Sequence, residues 1–157
     1  MKKFLYLLLA VPFLALMAAC SDDDKDLPDV KISIDYSGAT DQDGILYIAQ
    51  GETLTINSIT ATPANGGGKA MLGNTVYSID GVPVYSIGVS PYGGNLDTSS
   101  LEVGTHQLSF FSQVFQVDKE VGFALYGFNF VVTEPNSTPE GGTGTVTPQV
   151  RIQDHGE

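Results

Sequence analysis

The chain has 157 residues, enough for one domain with a real core and too few for two comfortable ones. Seven Lys and Arg stand against 18 Asp and Glu, a net charge of -11, which excludes nucleic acid and an anionic membrane surface as natural partners because both need basic patches. One cysteine, Cys20, leaves no internal disulfide, so stability must come from packing.

Lys2 and Lys3 open the chain, and an apolar run of sixteen residues, 4–19, follows, interrupted by Pro12. A spanning helix needs about twenty apolar residues, so this run predicts an export leader. Met17 is too large for ordinary leader cleavage before Cys20. Ala18-Ala19-Cys20 instead resembles the lipobox of bacterial lipoproteins, although Met17 replaces the usual Leu. The resemblance implies a lipid on the Cys20 thiol and removal of residues 1–19. Loss of Lys2 and Lys3 then leaves five Lys and Arg against 18 acids, a mature charge of -13.

Ser21, Asp22, Asp23 and Asp24 follow directly and resemble the surface-export signal of Bacteroidetes-type lipoproteins. That likeness implies an outer-membrane anchor with the domain facing the cell exterior. The same charges also make residues 20–29 an extended, self-repelling tether.

Residues 30–36 alternate, with Val30, Ile32, Ile34 and Tyr36 on one face, and predict a half-buried strand. Residues 37–44 read as a polar turn and 45–49 as a second strand. Residues 53–62 read as a third, in which Ile59 breaks the alternation of Leu54 and Ile56 and predicts a bulge. Asn65-Gly66-Gly67-Gly68 marks a loop over 63–73. Asp80-Gly81 between apolar runs at 75–79 and 82–89 is a strong hairpin signal, since both central residues of that turn need positive φ.

Residues 90–95 read as a loop with Tyr92 at its tip, and 96–101 as a short edge strand. From Gly104 a strand carries His106, Leu108 and Phe110 on one face, turning at 117–120. The strand at 121–133 is apolar on both faces, as a central strand or a change of face at Gly127 would explain. Residues 134–157, rich in Gly, Thr and Pro, predict a flexible tail, with Val146, Val150 and Ile152 leaving room for one edge strand.

Seven or eight short strands and no helix after the leader predict an all-β fold, a β-sandwich of about seven strands over residues 30–133. Val76-Tyr77-Ser78-Ile79-Asp80-Gly81, with Val84, and Leu101-Glu102-Val103-Gly104-Thr105-His106-Gln107-Leu108 resemble two segments of bacterial immunoglobulin-like domains. The resemblance implies an immunoglobulin-like sandwich and little about function.

Site signals are sparse. His106 reads as a mostly buried, hydrogen-bonded histidine, because catalysis would need a nucleophile or an orienting acid beside it. Asp41, Asp43 and Glu52 fall at positions one, three and twelve of a calcium loop, but Ile45 and Leu46 occupy the fifth and sixth, where an oxygen ligand and glycine belong. No metal, cofactor or catalytic residue is assigned. Tyr85, Tyr92, Tyr126 and Phe128 are candidates for stacking on sugars, and Tyr92 is the candidate ligand contact. Asn136-Ser137-Thr138 matches a glycosylation sequon and is read as coincidental in a bacterial chain.

The expected function is a lipid-anchored, non-catalytic binding or structural module. Its partners are the membrane, through Cys20, and a surface protein or glycan, with no nucleic acid. The alternatives are a glycan-binding accessory lipoprotein, a surface fibre subunit and a hydrolase.

Overall fold

The computed structural model describes residues 26–137 and 141–154. The leader 1–19, Cys20, Ser21, Asp22, Asp23, Asp24, Thr138 of the sequon and His155 lie outside the described residues.

Ten strands and no helix make up the described chain. They are β1 (Val30–Gln42), β2 (Ile45–Ala49), β3 (Thr53–Pro63), β4 (Ala70–Ile79), β5 (Val82–Ile87), β6 (Gly94–Asp97), β7 (Gly104–Gln116), β8 (Gly122–Thr133), β9 (Gly142–Val146) and β10 (Arg151–Gln153). Hydrogen bonding follows the order β5-β4-β7-β8-β2-β1-β3-β6, with β9 added to β1 and β10 to β8.

β1 joins two ladders. Its residues from Val30 to Ser37 pair with β3, and Thr40, Asp41 and Gln42 pair with β2. Gly38 stands between them at φ 90°, pressed so closely on the Thr53 carbonyl that a side chain has no room. The expected polar turn at 37–44 is therefore mostly strand. The reversal is confined to Asp43-Gly44, at φ 55° and 82°, the same Asp-Gly signal as at Asp80-Gly81 (φ 50° and 79°).

The sheet curls so that the inward faces of both ladders share one core. Ile32, Ile34 and Tyr36 of β1 and Leu54, Ile56 and Ile59 of β3 meet Tyr77 of β4, Leu108, Phe110 and Val114 of β7, and Tyr126, Phe130 and Val132 of β8. The bulge expected near Ile59 is present: Asp35 pairs with Ser58 and Tyr36 with Ile56, leaving Asn57 extra. That one residue lets Ile56 and Ile59 both point inward despite their odd spacing.

β8 is central, flanked by β7 on one side and by β2 and β10 on the other. Ala124, Tyr126, Phe130 and Val132 are buried and Leu125 is exposed, so alternation continues through Gly127 without a change of face. β6 ends at Asp97, earlier than expected, because Thr98 turns the chain. Its N–H and the Gly51 N–H are bonded to Glu52 O (3.1 Å) and Thr98 Oγ1 (3.1 Å) respectively.

The expected flexible tail supplies β9 and β10. β9 is latched by Asp35, whose carboxylate accepts from Thr145 Oγ1 (2.7 Å) and, on β3, from Ser58 Oγ (2.8 Å). These bonds hold the Asp35 carboxyl below its ordinary pKa, Thr145 contributing most. The Thr and Gly residues of β9 and the three-residue length of β10 give weak sequence signal, because edge pairing rests on backbone bonds.

Candidate binding cleft and the histidine clamp

The molecule has two poles along β4 and β7. At one, Ala70 pairs with Gln116, beside the β7–β8 turn; at the other, Ile79 pairs with Leu108, beside the β4–β5 hairpin. Eight residues of β7 separate them, about 26 Å at strand rise.

The chain enters at the first pole. Glu120 N–H donates to Asp26 O (3.2 Å), Lys119 Nζ pairs with an Asp26 carboxylate oxygen (3.0 Å), and Asp29 N–H donates to Gln116 Oε1 (2.9 Å). This is the N-terminal pole; the other is distal.

The distal pole is built around Asp80. Its turn position fixes the hairpin, and both carboxylate oxygens reach across to β7. Gln107 N–H donates to Oδ1 (2.8 Å), and His106 Nδ1 lies 2.6 Å from Oδ2. His106 Nε2 lies 2.7 Å from the Glu102 carbonyl. Both ring nitrogens thus face acceptors, and the imidazolium, a donor at both, satisfies them. The Asp80 bond first and the Glu102 carbonyl second raise the His106 pKa, while the Gln107 N–H and then His106 lower that of Asp80. The ring lies 5.7 Å from that of Phe130, and the side chain is only 12% exposed.

Beside this clamp a cleft of about 420 Å³ opens between β5 and β6. Ile79, Val82, Val84, Tyr85, Leu96 and Leu101 form its apolar walls. Asp80, Asn95, Asp97 and Ser100 supply the polar rim. Asp97 Oδ1 accepts from Ser99 Oγ (2.5 Å) and Ser99 N–H (2.8 Å), which lowers the carboxyl's pKa, the hydroxyl contributing more. The rim therefore carries two carboxylates held ionised. β5 pairs only with β4 and β6 only with β3, so the cleft lies between two free strand edges.

Three tyrosines hold the loop that joins β5 to β6. The hydroxyls of Tyr77 and Tyr85 donate to the carbonyls of Tyr92 and Gly93, and the Tyr92 hydroxyl donates to the Leu72 carbonyl. Tyr92 is half-buried, at φ 60°, with its ring packed against the core. Of the other sugar-stacking candidates, Tyr126 is buried, its hydroxyl 2.7 Å from Ser112 Oγ, and burial pushes its pKa up to about 12. Tyr85 lies on the cleft wall and Phe128 is half-buried against the core.

Asp41, Asp43 and Glu52 are not gathered into one site: Asp41 Oδ1 accepts from Gly44 N–H (2.8 Å) within the hairpin turn. Among the described residues no three His, Cys, Asp or Glu side chains come together as a metal site.

The most exposed aromatics among the described residues are not among those candidates. Phe111 and Phe115 point outward from β7, 43% and 41% exposed. Their signal was present: if Leu108 and Phe110 face inward on a strand of period two, Phe111 and Phe115 must face out.

No family model and no curated protein matches the chain. Among solved structures it is similar in outline to the fibronectin(III)-like modules of Clostridium thermocellum CbhA, at a TM-score of 0.43 and 17% identity, over 68% of this chain and 50% of that one. The chain thus spans about half the length of that structure.

Proposed function

We propose that this protein is a lipid-anchored cell-surface module that binds a ligand without catalysis, on an immunoglobulin-like β-sandwich. The two layers are β9-β1-β3-β6 and β5-β4-β7-β8-β2, with β10 on β8. The observation that carries this reading is the placement of the cleft at the pole opposite the chain's entrance. A lipid on Cys20 tethers the N-terminal pole and leaves the cleft outermost. Ser21, Asp22, Asp23 and Asp24 then direct the domain to the outer face of the outer membrane.

The clamp supports binding over hydrolysis. A general base needs a ring nitrogen aimed at substrate, and both nitrogens of His106 are engaged by Asp80 and Glu102. The fibre-subunit alternative draws on the free edges of β5 and β6. It is disfavoured at β5, where Pro83 lacks an N–H and the register shifts near Val84, two features that guard an edge. The cleft walls suit an apolar protein segment, and Tyr85 gives a glycan one aromatic face.

Two measurements test this. Palmitate labelling in cells should mark the wild type and vanish in Cys20→Ala; labelling that survives overturns the anchor. The mature chain from Cys20, screened on glycans and surface proteins, should lose its ligand on Val84→Arg. Unchanged capture by that variant removes the cleft from the reading.

A further inference from the structure

The outward side of the β4-β7-β8 ladder is divided between the poles. Toward the distal pole it is mostly polar, with Thr105, Gln107 and Ser109 on β7 and Asn129 on β8, and a half-buried Val131 opposite Thr105. Toward the N-terminal pole it is apolar apart from the half-buried Gln113. Met71, Phe111, Phe115 and Leu125 continue into the β7–β8 turn at Val117 and Val121, and all six are between 41% and 64% exposed. They are neighbours: Met71 pairs with Phe115, Phe111 with Leu125, and the Phe111 ring stacks on Phe123 at 5.5 Å and 11°. Single exposed apolar residues are ordinary on a protein surface, whereas a contiguous patch marks something that covers it.

The chain's path indicates what that is. Asp26 is pinned to the turn by Glu120 and Lys119, and Pro28 is buried beside Gly122. Asp26 lies six residue steps beyond Cys20, a span of at most about 20 Å fully extended. An anchor at Cys20 therefore keeps Val117, Val121, Phe115 and Met71 within reach of the bilayer, on a leash too short for the domain to roam.

We propose that this half of the face docks on the lipid surface itself. Val117, Val121, Phe115 and Met71 enter the boundary between headgroups and acyl chains, and Asp118, Lys119 and Glu120 stay at headgroup level. The inference rests on the Cys20 anchor proposed above. Charge selects the lipid: Asp26, Asp118 and Glu120 border the patch beside Lys69 and Lys119, and the chain cleaved before Cys20 would carry -13 overall, so the surface is zwitterionic rather than anionic. Arg151, paired opposite Leu125, sets one cation on the flank. Docking also orients the molecule, turning the cleft away from the membrane.

Two features of the composition make the test clean. Cys20 is the sole cysteine and the chain has no tryptophan. The mature chain, coupled through Cys20 to a maleimide phospholipid in phosphatidylcholine vesicles, is anchored whether or not a cell lipidates it. Phe115→Trp, Phe111→Trp and Thr105→Trp each then carry the only indole, on one strand and one outward face. Quenching by brominated phosphatidylcholine should be at least ~3-fold stronger for Phe115→Trp than for Thr105→Trp, with Phe111→Trp between them. Equal or absent quenching at all three positions overturns the proposal.

Amide exchange on the wild type guards against a misfolded variant. Residues 115–121 should exchange about tenfold more slowly on vesicles than in the uncoupled chain, and residues 104–108 at an unchanged rate; no slowing at 115–121 also overturns it. Palmitate labelling scores the anchor separately. Labelling without quenching means an anchored domain whose apolar face stays off the lipid, while quenching without labelling supports the face and rejects the anchor.

Discussion

The two poles of this domain solve opposite problems. At the distal pole polar groups are engaged: Asp80 bonds His106 and Gln107, His106 bonds Glu102, and Asp97 bonds Ser99. These bonds brace the rim of the cleft. At the N-terminal pole Met71, Phe111, Phe115, Val117, Val121 and Leu125 are apolar and exposed. A cleft at one end and an exposed apolar surface at the other suit the tethered binding module proposed above, and the tests below start from that contrast.

The largest effect separates two adjacent aromatics of β7. Phe110 is fully buried between Tyr77 and Tyr126, so Phe110→Ala should destabilise the fold by about 3–5 kcal/mol in urea unfolding. Phe111→Ala, on the exposed face, should shift the same midpoint by less than about 1 kcal/mol. Equal effects would mean that the outer patch stabilises the fold and is not held for a partner.

Next comes the loop behind the cleft. Tyr92→Phe removes the donor to the Leu72 carbonyl and should cost about 1 kcal/mol, with faster proteolysis at residues 88–93. Unaltered proteolysis would show that Tyr77 and Tyr85 suffice to hold the loop.

The clamp should give a smaller, pH-dependent term. The Asp80 side chain is half exposed, so solvent screening limits Asp80→Asn to roughly 1 kcal/mol or less. The raised His106 pKa contributes stability fully below the ordinary value of 6.5, lost as pH rises through the folded pKa. The lowered Asp80 pKa contributes above 3.8, lost as pH falls through its folded pKa. The gap between wild type and Asp80→Asn should therefore be widest between pH 3.8 and 6.5 and narrow on both sides. A gap independent of pH would remove the charged clamp from the account.

The smallest effect is local. Asp35→Ala should speed amide exchange in β9, residues 142–146, and leave the β4-β7-β8 ladder unchanged. If exchange in β9 is unmoved, its backbone pairing with β1 is enough.

Much of the fold was legible because period-two alternation is a local property. Val30 to Tyr36, Leu108 with Phe110, and the Asp80-Gly81 turn stand in the structure as their residues predict. Asp43-Gly44 carried the same turn signal, but the polar stretch around it masked the strand that continues through Gly38. β9 was hard to read because its backbone bonds and the Asp35 latch come from β1, over a hundred positions away, and β10 because three residues on the β8 edge carry little pattern.

The sequence by itself determined the strands' inward faces, the two Asp-Gly hairpins and the single thiol at Cys20, since each depends only on neighbours along the chain. Tertiary structure decided that β1 serves both ladders, that His106 closes on Asp80, and that a cleft and an apolar face lie at opposite poles. Those features depend on which strands meet, and pairing is set by the burial of a shared core that no single segment encodes.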